Sequence, residues 1–234
     1  MPVVDVSVPV VECVDGVHVV RDDLVRGGTK MPVLVEALRT SWSDVSEIVF
    51  PASSEGVGQL ALALACNEMR RHATIFVAHR RELSRQTRSA LAVGAEIVTV
   101  EHGRYNVVQH RARACAAERS AMYLPPGFAH DVFLDGVAAR ARATQLDPRV
   151  VVVTVSSGAL CRGLMRAWPD AAFIAVKVGM RPDVPGADVV IAPESYDEPA
   201  RVPPPFPSAR GQDAKAWRFV PRDEDGVVFW NIAA

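Results

Sequence analysis

The ten residues Arg21-Asp22-Asp23-Leu24-Val25-Arg26-Gly27-Gly28-Thr29-Lys30 place two carboxylates, a glycine pair and a lysine just ahead of an apolar-periodic segment. Paired glycines let a backbone turn in ways closed to other residues. A lysine that opens a helix meets the positive end of the helix dipole, which favours its neutral amine. That is the form which makes a Schiff base. The plainer reading of the same residues is a glycine turn followed by a solvated lysine.

Two further stretches have the composition of anion-binding turns. Pro51-Ala52-Ser53-Ser54-Glu55-Gly56-Val57-Gly58 and Ser156-Ser157-Gly158-Ala159 each lead from an apolar run into an alanine- or leucine-rich segment. Free N–H groups at a helix start hold anions. Ligands of parallel α/β sheets gather at the carboxyl ends of the strands, where such turns lie. Neither stretch fits the glycine-rich nucleotide motifs. The six histidines, His18, His72, His79, His102, His110 and His130, show no metal-ligand spacing, and Cys13, Cys66, Cys115 and Cys161 form no CxxC pair, so no metal site is expected.

The elements that must position these residues alternate. Valines at 4, 6 and 8 and at 17 and 19 read as short strands around Asp15-Gly16. Strands are expected at 47–50, 74–78, 96–100, 150–155, 173–178 and 187–192. Helices are expected at 32–40, 59–71, 81–93, 106–119, 132–146 and 160–167. Strands and helices in alternation argue for a mostly parallel α/β sheet. Residues 150–155 are apolar apart from Thr154, as in a strand covered on both faces. From residue 199 the character changes. Pro203-Pro204-Pro205 reads as an extended arm, and Trp217, Phe219, Phe229 and Trp230 as anchors that dock a terminal unit on the body.

The order of these landmarks resembles the fold-type II pyridoxal-phosphate enzymes, the tryptophan synthase β-like group, over roughly residues 20–180. The Arg-Asp-Asp-Leu and Gly-Gly-Thr-Lys segment is most similar to the aminocyclopropane-carboxylate deaminase/D-cysteine desulfhydrase branch. The resemblance implies two three-layer αβα parts with mostly parallel sheets and a shortened C-terminus. It implies a larger cofactor-holding domain of residues 1–50 and 131–198, a smaller mobile domain of 51–130, and an arm and terminal unit of 199–234. It makes Lys30 the Schiff-base lysine for pyridoxal 5′-phosphate. It makes Ser156, Ser157, Gly158, Ala159 and Leu160 the phosphate turn. Ser53, Ser54, Glu55, Gly58 and Gln59 become the substrate loop, with Ser54 and Glu55 close to the chemistry and Gly56 beside the cofactor. Glu55 and Gly56 stand where the family has glycine and asparagine. Ser195, or its neighbour Glu194, takes the place of the pyridine-nitrogen partner, and Tyr123, Tyr196 or Ser54 could assist proton transfer. The implied activity is β-elimination, β-replacement or deamination of an amino acid or other primary amine, in a cytoplasmic homodimer.

Two other readings compete. The altered substrate loop and short C-terminus also suit a non-catalytic descendant of the fold that binds a ligand or partner. An acid pair followed by Gly-Gly-Thr also occurs in phosphoribosyltransferases, but with four intervening residues rather than the three found here. Composition narrows the classes further. The 234 residues are 49% hydrophobic with a net charge of −1, so a core is expected and a phosphate-tracking nucleic-acid binder is not. The N-terminus lacks the pattern of a signal peptide, and no apolar run reaches membrane-spanning length.

Overall fold

The computed structural model describes residues 8–53, 56–101, 104–179, 182–195 and 198–234. The chain divides into two compact units, residues 1–29 with 134–234, and residues 30–133.

The first unit is built on a six-stranded sheet in the order β1-β2-β10-β7-β8-β9. Its strands are β1 (Val11–Val14), β2 (Val17–Arg21), β7 (Val150–Val155), β8 (Ala172–Lys177), β9 (Asp188–Ile191) and β10 (Val227–Asn231). All neighbours are parallel except the hairpin pair β1 and β2. β7 is buried at every residue, as its unbroken apolar run requires. Alternate residues of β2, β7, β8 and β10 face one apolar cluster. Val19, Val152, Val176 and Phe229 meet Trp217 there, with Phe206 packed beside them.

The last strand departs from the docked terminal unit expected from sequence. β10 enters the middle of the sheet, pairing with β2 on one side and β7 on the other. The reason is physical: Val227 to Asn231 is buried throughout, and such a strand covers its backbone groups and both faces best in an inner position. The aromatics of the stretch do pack as anchors. Trp230 has a second task, donating from Nε1 to the Thr29 hydroxyl at 2.9 Å.

The second unit carries an all-parallel sheet, β5-β4-β3-β6, of β3 (Glu47–Pro51), β4 (His72–Ala78), β5 (Glu96–Val100) and β6 (Met122–Tyr123). Four helices belong to it: α1 (Lys30–Arg39), α2 (Gly58–Glu68), α3 (Arg85–Ala92) and α4 (Tyr105–Glu118). The Ser84 hydroxyl caps α3 by accepting from the Thr87 N–H at 3.2 Å. α5 (Asp131–Ala143) follows, and α6 (Ala159–Ala167) lies in the first unit.

At one end of the second sheet, Arg119 donates to Glu47 and Glu96, while Thr74 and His72 also bond Glu96. Glu47, His72 and Glu96 bring ligand-type atoms within 4.8 Å of one another, and the Arg119 guanidinium is the cation that joins the two carboxylates. Its hydrogen bond holds the Glu96 carboxyl down at about 2, from an ordinary 4.5. A depressed carboxylate stabilises the fold above its unfolded value, and that contribution fades as pH falls toward the folded one. Glu96→Gln is therefore expected to lower the melting temperature at neutral pH, with the gap from wild type closing between pH 4.5 and about 2; a gap independent of pH would contradict the network.

Gly28 has a left-handed φ of 67°, and a Cβ there would collide with the Ile232 carbonyl oxygen. Gly28→Ala is expected to cost about 2 kcal/mol or more in a urea titration, combining backbone strain with the clash. A loss under about 0.5 kcal/mol, the size of a neutral surface change, would show that this approach is not made.

Candidate active site

Lys30 is the first residue of α1. Immediately before it, Thr29 is fully buried. The Thr29 N–H donates to the Ile232 carbonyl at 3.1 Å, and its hydroxyl accepts from Trp230. The end of β10 thus fixes the residue from which the lysine springs. The two carboxylates upstream are also engaged. Asp22 is buried and receives Nε and Nη2 of Arg140, the former at 3.1 Å. Asp23 is held by Arg21 and by the Asn231 amide. Arg21 also pairs with Glu12, and the Asp23 hydrogen bond foremost raises the already high pKa of its guanidinium. Acids used this way are not available for ribose hydroxyls, which removes the basis of the phosphoribosyltransferase reading.

In the second unit, the half-buried Lys30 carries its Nζ 5.7 Å from the centre of the Phe128 ring. A Cβ on Gly58, at the start of α2, would come within 3.3 Å of the same ring. One aromatic side chain therefore borders both the lysine and the end of the loop 53–58, which the resemblance assigns to substrate. Within that loop Ser53 is exposed, Gly56 is half-buried and Gly58 is buried. Ser54 and Glu55 lie outside the described residues. The Gly56 N–H donates to the Ser53 carbonyl at 3.2 Å. Gln59 is fully buried. It donates to the Ser53 carbonyl and accepts from the Thr87 hydroxyl, each at 2.8 Å, so its amide braces the loop from behind. Tyr123 lies on β6 against the Val49–Phe76–Val108 cluster, its hydroxyl buried without a partner among the described residues. Tyr196 lies outside the described residues.

In the first unit, Ser156 and Ser157 follow β7 and are half-buried, while Gly158, Ala159 and Leu160 are buried. Gly158 has φ 88°, and a Cβ there would fall 2.5 Å from the Asp183 carbonyl oxygen and 2.8 Å from Val184. The turn therefore requires glycine at this position, and it leads into the N-terminus of α6, where the first N–H groups have no acceptor within the helix. The Ser157 hydroxyl reaches the Ala159 N–H at 3.4 Å. Two residues before the turn, Thr154 donates to the buried Asp213 carboxylate, which also accepts from the Ala233 N–H at 3.0 Å. Beyond β9, Ser195 is exposed and Glu194 is buried. Burial acts to raise the Glu194 carboxyl, but the Arg201 N–H together with the Arg218 and Arg201 charges outweighs it and holds the pKa below its ordinary value. Glu194 Oε1 takes the Arg201 N–H at 3.0 Å, while Oε2 is buried without a partner among the described residues.

Only three lysines occur in the chain, Lys30, Lys177 and Lys215. Lys215 is 1% exposed and donates to the Ser195 carbonyl at 2.8 Å. Lys177 ends β8 in register with Val155. The buried thiols of Cys66 and Cys161 offer little as nucleophiles, since burial pushes them up to about 12. Sequence reasoning missed Phe128, Asp213 and Lys215. The first sits in a proline/glycine loop and the others in a 3-10 turn (Asp213–Phe219), where no periodicity marks an inward-facing residue.

A family model described as pyridoxal-phosphate dependent enzyme matches residues 30–219. No curated protein sequence matches the chain significantly. Among solved structures, an ACC deaminase homologue superposes with a TM-score of 0.76 at 15% identity, over 93% of this chain and 84% of that one. Threonine deaminase isoform 2 from Solanum lycopersicum gives 0.72 at 15% identity, over 97% and 79%. Diaminopropionate ammonia lyase from Escherichia coli gives 0.65 at 12% identity, over 94% and 79%. At these identities the structural likeness speaks for the fold. The family match spans most of the chain, and its parallel α/β architecture is that of these neighbours: the chain belongs to the pyridoxal-phosphate dependent enzymes of fold type II.

Proposed function

We propose that this protein is a pyridoxal-phosphate-dependent lyase or deaminase acting on an amino acid or another primary amine, with Lys30 as the residue that carries the cofactor. The observation that carries the reading is the seating of Lys30: the first residue of a helix, behind a glycine pair, with the preceding threonine tied to the last strand. Two features support the fit of the cofactor's other ends. Gly158 takes a left-handed backbone packed against the Asp183 carbonyl oxygen and Val184, and the turn this allows leads two serines into a helix N-terminus suited to a phosphate. Glu194 Oε2 is a buried acceptor with no donor among the described residues, and a protonated ring nitrogen would supply one. Glu194 suits that role better than the exposed Ser195.

When bound, pyridoxal phosphate supplies the electron sink that stabilises charge on the carbon next to the substrate amine. The chain's own residues do the rest. The Ser156 and Ser157 hydroxyls and the N–H groups of Gly158, Ala159 and Leu160 bind phosphate. Glu194 would hold a proton at the ring nitrogen. The Lys30 Nζ would hold the cofactor and would be the base that takes the proton from the substrate α-carbon. Ser53, Gly56 and Gly58 shape the turn that receives the substrate, with Gln59 bracing it.

Titration with pyridoxal phosphate tests the reading. A visible absorption band is expected for wild type and none for Lys30→Ala. Gly158→Ala should need at least about tenfold more cofactor, a loss of about 1.4 kcal/mol. In deuterated buffer, wild type should exchange the α-proton of a substrate amino acid and Lys30→Ala should not. A wild-type protein that shows no band at saturating cofactor is a non-catalytic member of the fold, and the proposal fails.

A further inference from the structure

Phe128 is held in a way that a packing residue does not need. Gly127 and Phe128 both have left-handed backbones, with φ of 69° and 62°. For a bulky side chain that conformation is an outlier and costs about 1–3 kcal/mol. Surrounding bonds enforce it. The Phe128 N–H donates to the Pro125 carbonyl at 2.9 Å, and the Phe128 carbonyl accepts from the His130 N–H at 2.7 Å. The ring is fully buried, wedged against Phe50 at 4.7 Å and Phe133 at 5.4 Å between centroids. Gly58 and the Lys30 ammonium also lie against the ring.

We propose that Phe128 is a positioning residue for Lys30: its strained, wedged ring seats the lysine amine beside the start of α2. The negative face of an aromatic ring attracts an ammonium, by about 0.5 to 2 kcal/mol depending on exposure. The seat explains two local peculiarities together. A ring in this place needs the left-handed turn that delivers it, and it needs glycine at 58, where any side chain would press on it. A merely space-filling role accounts for the burial of the ring but not for a strained backbone that brings it against a lysine. The functional meaning of the seat rests on Lys30 being the cofactor lysine; the seat itself does not.

The three lysines make a direct test, because each has a different task. In the cofactor-free chain, formaldehyde with cyanoborohydride labels accessible neutral amines, and mass spectrometry reads each site. Lys30 is the probe and Lys177 the reference. Lys215, at 1% exposure, stays unlabelled only while the chain is folded. Phe128→Leu removes the ring's attraction for the ammonium, so Lys30 should label roughly 2- to 30-fold faster relative to Lys177. Phe128→Tyr should stay near wild type. If Phe128→Leu exposes Lys215, pentafluorophenylalanine at 128 decides. It keeps the shape of the ring and reverses its quadrupole, and it should speed labelling in the same direction. A Lys30 to Lys177 ratio unchanged in the folded substituted protein overturns the seat. A changed ratio in a protein whose wild type forms no band with pyridoxal phosphate upholds the seat and removes the cofactor reading.

Discussion

The tie between Thr29 and the final strand is the constraint on which the rest depends. A chain more than 200 residues long returns its last strand to the middle of the first sheet, and the end of that strand holds the residue before Lys30 by its N–H and its hydroxyl. Each such buried hydrogen bond is worth about 1 kcal/mol net. The larger effect is geometric, because Gly28 lies so close to the Ile232 carbonyl that no other residue fits. Asn231, the last residue of β10, reinforces the same tie. Its amide donates to Asp23 and to the Pro207 carbonyl, and its oxygen accepts from the Ser208 hydroxyl. The arm, the acid pair and the Gly28–Thr29 turn are thereby parts of one hydrogen-bonded assembly in the first unit.

That assembly separates groups spent on structure from groups left for chemistry. Asp22 and Asp23 are neutralised by Arg140 and Arg21, so the acidic pair that stands out in the sequence is a structural device. Removing one member of the buried Arg140–Asp22 pair would leave a charge without compensation. Gln59 is used on both ends of its amide, Asp213 on both of its oxygens. Glu194 differs: one oxygen is satisfied, and the other has no partner among the described residues. A buried polar atom without a partner is unusual in a native fold, and this one supports the proposed place for a ligand donor.

Much of the architecture is legible in the sequence because two periodicities carry it. Strands such as Val150–Val155 are continuous apolar runs between helices, and the Ala/Leu-rich stretch after residue 58 can be nothing but a helix. The Gly-Gly-Thr-Lys segment and the Ser-Ser-Gly-Ala turn are legible because backbone geometry and anion binding restrict composition. What is hidden depends on tertiary contact. That Val227–Asn231 is an inner strand follows from pairing with β2 and β7, partners far away in sequence. That Phe128 reaches Lys30 follows from a left-handed turn that no residue type announces. Lys215 and Asp213 look like surface charges in a polar stretch and are both buried.

Borohydride reduction in the presence of pyridoxal phosphate, followed by trypsin and peptide mass mapping, tests the central claim most directly. A modified Lys30 resists cleavage, so the adduct is expected on the single peptide Gly27–Arg39, with Lys177 and Lys215 unmodified. An adduct confined to Lys177 or Lys215, or none on any of the three, would contradict the account.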